Sequence, residues 1–173
     1  MSEMPAVNTP SQYIYIGADH GGFALKQNLI TWLQEQAIVV SDQGAYEPDP
    51  EDDYPLIARE VAQKLQQNSE NYLQDPRFFG ILLCRSGAGM AIVANKFQGI
   101  RAAVCRTKEE VRLARAHNNA NVLVLEGDNV QEGDAQQFVA DFLETPFEGG
   151  RHQRRLEQFS SLGEKKENTS DVA

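Results

Sequence analysis

The sequence predicts an α/β domain, a three-layer αβα, Rossmann-like doubly wound sheet of five parallel strands. Three observations carry that expectation. The stretch Gly80 to Lys96 runs from a short apolar segment ending in Cys84, through a small-residue turn (Arg85-Ser86-Gly87-Ala88-Gly89), into a helical pattern, the order strand, glycine loop, helix. Short β-rich runs alternate with helix-period segments along the chain, which is the signature of crossover units. Finally, 173 residues without repeats or low-complexity blocks suit one domain.

Taken in order, residues 1–12 are polar with two prolines and read as a loose lead-in to a domain over 13–160. Tyr13–Gly17 is the first strand and Ala18–Gly22 the turn after it. Phe23–Gln36 carries a helical stripe of Phe23, Leu25, Leu29, Ile30, Trp32 and Leu33, and Ile38–Asp42 is the second strand. Gln43–Asp53 is acidic with Pro48 and Pro50, an exposed loop. Pro55 suits the first turn of a helix over Leu56–Gln67. Asn68–Phe79 is a polar connection with no assigned role. The Gly80–Cys84 strand leads into a helix ending near Gly99, and Ile100–Cys105 is the fourth strand. Thr107-Lys108-Glu109-Glu110 is a capping-box pattern for a helix reaching about His117. Asn121–Leu125 is the fifth strand, followed by a helix from about Asp134 to Glu144. After Pro146 and the Gly149-Gly150 break comes a basic helix to about Ser160, and residues 161–173 form a polar tail.

Composition narrows the function. No apolar run is long enough to span a bilayer, and the first residues lack a signal peptide's apolar core, so no membrane role and a cytoplasmic location are expected. Two cysteines, Cys84 and Cys105, make no disulfide framework, and no Cys/His spacing suggests a metal. The formal net charge of −9 argues against nucleic acid as a partner. An anionic ligand would therefore need a local basic cluster, for which the candidate is Arg151-His152-Gln153-Arg154-Arg155.

In an open parallel sheet, ligands sit at the carboxyl ends of the strands. Asp19 and His20 follow the first strand, and Cys84 ends the third. A cysteine beside a helix N-terminus is expected to have its thiolate stabilised, making it a base or nucleophile. A buried structural cysteine is the competing reading. His117 ends a helix and His152 lies in the basic run. The glycine patterns at Gly17–Gly22 and Gly87–Ile92 do not complete a dinucleotide fingerprint, and no Walker A sequence is present.

Several segments together resemble the ribose 5-phosphate isomerase type B family, which includes the galactose 6-phosphate isomerase subunits. They are Ile16–Lys26, Asp53-Tyr54-Pro55, Gly80–Lys96, Gly99–Ala103, Ala116–Leu123 and Glu148–Arg155, collinear from about Tyr13 to Ser160. The resemblance implies an aldose–ketose isomerase of a sugar phosphate that works without metal or cofactor, as a homodimer or a dimer of dimers with shared active sites. It implies Cys84 as the base of an enediolate mechanism. Ser86 stands where the family usually has threonine and, with the Gly87 and Gly89 loop, would stabilise the oxygen charge. His117 and Asp19 would open the sugar ring and Asn118 would orient it. His20, Arg151 and Arg155 match phosphate contacts, and Tyr54 lies close to the site.

Two positions depart from the pattern the resemblance implies: Arg85 stands where glycine is usual, and Asp128 where an arginine that serves as a phosphate ligand from the other subunit is usual. Coupling of the two changes is expected, with Arg85 either taking over part of the phosphate contact or pairing with Asp128 across the interface. Ribose 5-phosphate and ribulose 5-phosphate are the leading substrates. A hexose 6-phosphate isomerase and a non-catalytic sugar-phosphate-binding regulator are the alternatives.

Overall fold

The computed structural model describes residues 12–67 and 77–162, the side chains of 160 and 161 excepted. The expectations for the lead-in before residue 12, for most of the Asn68–Phe79 connection and for the tail after residue 162 lie outside the described residues. The elements are β1 (Tyr13–Ala18), α1 (Phe23–Glu35), β2 (Val39–Asp42), α2 (Tyr54–Gln67), β3 (Phe78–Cys84), α3 (Ala88–Ala94), β4 (Ala102–Val104), α4 (Lys108–Asn118), β5 (Val122–Glu126), α5 (Glu132–Glu144) and α6 (Arg151–Leu156), with a 3-10 turn over Glu157–Ser161.

All five strands are parallel, in the order β2-β1-β3-β5-β4. Alternation along the central strands sends side chains to two cores. On one face, Ile81, Leu83, Leu123 and Leu125 meet α1, α4 and α5 through Leu29, Leu33, Val111, Val139 and Phe142. On the other, Leu82, Cys84, Val122 and Val124 meet α2 and α3 through Val61, Leu65, Met90 and Ala94. Leu29 and Leu33 are fully buried, each worth about 1.5–3 kcal/mol relative to exposure.

The doubly wound sheet agrees with the sequence expectation, with local differences. The helix after the glycine loop is short, ending at Ala94 before a run of turns, and β4 keeps only three of the expected residues. The reason is visible at Asn95, whose side chain ties both the N–H and the carbonyl of Ala102. That pairing satisfies backbone groups without extending helix or strand. The cap of α4 is as expected: Thr107 Oγ1 accepts the Glu110 N–H at 3.2 Å, while the Glu110 carboxylate reaches one residue further back, to the Arg106 N–H.

Candidate functional site

The strand order fixes where a ligand can sit. From β1 the chain winds outward to β2, then returns to β3 on the other side of β1. The crevice at the carboxyl ends of β1 and β3 is therefore the switch point of the sheet, and it receives Asp19 and His20 from one strand and Cys84 from the other. Close backbone approach seals it. A side chain at Gly127, in the turn after β5, would collide with the Gly21 carbonyl, while the Gly127 N–H donates to the Cys84 carbonyl at 2.8 Å.

Cys84 points to the α2–α3 face and is 6% exposed. The loop after it turns back because Gly87 takes φ +72°, a left-handed conformation natural to glycine. The Gly87 N–H then donates to Cys84 Sγ at 3.1 Å. Burial pushes the Cys84 thiol up, the amides of Met90, Gly87 and Ser86 pull it down, and the Asp19 charge adds to the rise. The expected stabilisation of the thiolate is thus corrected for the single chain: the loop amides act in the anticipated direction, but desolvation outweighs them. Ser86 and Arg85 are exposed beside the thiol. Cys105 is also buried, with its thiol pushed up to about 12 by burial, then by Glu110.

Asp19 is 7% exposed, and its Oδ1 accepts the Gly22 N–H at 3.2 Å. Burial raises its pKa most, with Asp52 adding to the rise. His20 is gripped twice by Asp52: its backbone N–H donates to Oδ2 at 2.7 Å, and Nδ1 lies 2.8 Å from Oδ1. The hydrogen bond to Asp52 raises the His20 pKa against the opposing effect of burial. The Tyr54 ring covers the start of α3, 2.7 Å from where a Gly89 Cβ would stand.

Two residues of this site were not anticipated. Asp52 was read as part of an exposed acidic loop, yet its side chain is only 12% exposed. Lys26 is fully buried, with Nζ 2.7 and 2.9 Å from the Asp42 carboxylate oxygens and bonded to the Ala45 carbonyl. It clips down the base of the loop that carries Asp52 and Tyr54. Its signal was a lysine on the apolar face of α1, in phase with Leu29 and Leu33.

His117, Asn118, Arg151 and Arg155 form a second cluster elsewhere. His117 closes α4, which feeds β5, so it lies at the amino edge of the sheet, a strand length of about 20 Å from Cys84. Its ring stacks on that of buried His152, centroids 4.1 Å apart and 7° from parallel. Glu148 Oε2 lies 3.6 Å from His117 Nε2 and 3.7 Å from His152 Nε2. Burial lowers the His152 pKa, with the His117 and Arg151 charges acting the same way. Gly149 and Gly150, both at positive φ, swing the chain into α6, where Arg151 and Arg155 are exposed one turn apart. Within one chain, then, the predicted site residues fall into two groups that do not meet.

Two triads, Asp19–His20–Asp52 and His117–Glu148–His152, hold potential metal-ligand atoms within 4.8 Å of one another. Histidine–carboxylate pairing within the chain accounts for both arrangements. Among the described residues, no helix is long and apolar enough to cross a membrane.

Fold and site place the chain among parallel α/β proteins that bind small molecules in a switch-point crevice. Residues 14–159 match the ribose/galactose isomerase family. The ribose-5-phosphate isomerase B of Escherichia coli is 36% identical over 153 residues, covering 88% of this chain and 97% of its own. A probable ribose-5-phosphate isomerase B of Mycoplasma genitalium is 41% identical over 145 residues, covering 84% and 91%. Among solved structures, ribose 5-phosphate isomerase from Thermotoga maritima superposes with a TM-score of 0.80 at 42% identity, covering 87% of this chain and 99% of its own. The Mycoplasma genitalium ribose-5-phosphate isomerase B with bound ribulose-5-phosphate gives 0.79 at 40% identity, covering 86% and 94%. The chain belongs to the ribose/galactose isomerase family.

Proposed function

We infer that this chain interconverts ribose 5-phosphate and ribulose 5-phosphate through an enediolate. The observation that carries the reading is the Cys84 thiol at the switch point under the Gly87 amide, in a family whose Mycoplasma genitalium member holds ribulose-5-phosphate.

The chemistry follows from the parts. The Cys84 thiolate takes the C2 proton of the open aldose, and the electron pair moves through the new C1–C2 double bond onto O1. Ser86 and the amides of the Gly87–Gly89 loop face that developing charge, where fixed donors act most strongly. After a proton moves from O2 to O1, sulfur returns its proton to C1, leaving the ketone at C2. Ring opening precedes this, with His117 and Asp19 exchanging protons at the hemiacetal and Asn118 holding the sugar. His20, Arg151 and Arg155 take the phosphate, since guanidinium forks suit its oxygens, and Tyr54 closes the side of the site. The route needs neither metal nor cofactor.

Because Cys84 and His117 lie at opposite edges of one chain, the working unit is a homodimer. The amino-edge cluster of one copy completes the carboxyl-edge crevice of the other. A thiol base must remain reduced, which fits a cytoplasmic setting.

The test is turnover by purified protein with ribose 5-phosphate, run beside hexose 6-phosphates. The pentose phosphate is expected to be the better substrate. Cys84→Ala should cut kcat about a hundred- to ten-thousand-fold with the fold intact; an active variant would remove Cys84 as the base.

A further inference from the structure

Arg85 is the one residue of the catalytic loop whose charge the chemistry above leaves unused. Its stem lies flat on the turn after β1: a Cβ at Gly21 would stand 2.5 Å from Arg85 Cγ and 3.1 Å from its backbone nitrogen. The side chain is exposed, and among the described residues it has no carboxylate partner. His20 is the next residue back along that turn. It is held by Asp52 through Nδ1, which leaves Nε2 for a ligand, and the Arg85 charge is near enough to oppose its protonation. Gly127 packs against the Gly21 carbonyl of the same turn and donates to the Cys84 carbonyl, and exposed Asp128 follows it. Residues 85 and 128 therefore follow neighbouring strands, β3 and β5, beside one turn.

We propose that Arg85 is a substrate ligand: its guanidinium and the His20 ring together take the phosphate of the sugar at the switch-point crevice. The proposal rests on the sugar-phosphate reading above. The Arg85 stem packs on the turn that carries His20, so one phosphate can meet both side chains. Asp52 is already paired with His20 and Asp19 accepts the Gly22 amide, which leaves the Arg85 guanidinium without a carboxylate among the described residues. Asp128, beside the same turn, opposes the anion, which makes a guanidinium at position 85 the compensating charge.

Arg85→Gln keeps the stem over Gly21 and removes the charge. It should raise the KM for ribose 5-phosphate about ten-fold, the scale of a hydrogen bond to a charged group, with kcat nearly unchanged. Adding Asp128→Arg to that variant should recover most of the loss, because a cation returns beside the same turn. Inorganic phosphate, titrated against the His20 ring resonances, gives a readout independent of turnover, so the proposal survives or fails even if the protein isomerises another sugar. Weaker phosphate binding by Arg85→Gln, restored by Asp128→Arg, supports it. An unchanged KM and an unchanged phosphate titration would overturn it.

Discussion

The two edges of the sheet carry different kinds of site. At the carboxyl edge, Cys84 and Asp19 are fixed by main chain, Gly87 binding the thiol and Gly22 the carboxylate, while the Asp52 side chain holds both the backbone and the ring of His20. Two of the three are buried, and desolvation raises both of their pKa values. At the amino edge, His117, Arg151 and Arg155 project from helix ends, with Arg151 and Arg155 exposed and only stacked His152 buried beneath. On the proposed reading, the first edge moves the proton and meets the phosphate through His20, and the second adds further cations and an imidazole. Neither would then be an active site alone. The difference teaches how a fold can hold two complementary halves apart, their union falling, in this proposal, to a second copy.

That division predicts which kinetic constant each edge controls. Arg151→Ala should raise the KM about ten- to a hundred-fold, the worth of charge-assisted bonds to phosphate, while kcat falls far less. Steady-state kinetics checks this, and a collapse of kcat at constant KM would place Arg151 with the proton-transfer machinery instead. A smaller effect sharpens the carboxyl edge. The Asp19 charge helps to hold the Cys84 thiol protonated, so Asp19→Asn removes a negative neighbour and favours the thiolate. The pH profile of Cys84 alkylation should then move to lower pH than in the parent protein, since reaction follows the ionised thiol. A shift to higher pH would contradict the assigned environment.

The fold was legible because every element carried its own local signal: the apolar run before the glycine loop, the stripe of α1, the Thr107 cap. Cys84, Asp19 and His20 were legible as neighbours because each closes a strand whose carboxyl end faces the crevice. Their surroundings were not. Asp52 reaches His20 from 32 residues away and Lys26 reaches Asp42 from 16, distances at which sequence shows only an acidic loop and a helical lysine. The sign of the Cys84 shift was missed because a motif displays its amides but not its burial. The place of His117 could have been found: a residue closing a helix that feeds a parallel strand belongs at the amino edge, away from Cys84.

The union of the two edges is tested most directly by mixing two crippled proteins. Cys84→Ala spoils the carboxyl edge and His117→Ala the amino edge, and each variant alone should turn over ribose 5-phosphate poorly. Unfolding and refolding them together lets hybrid dimers form, in which one of the two composite sites is intact and the other doubly damaged. Random pairing predicts recovery to about a quarter of the parent activity. A mixture no more active than its two components would show that the halves do not meet across a subunit boundary.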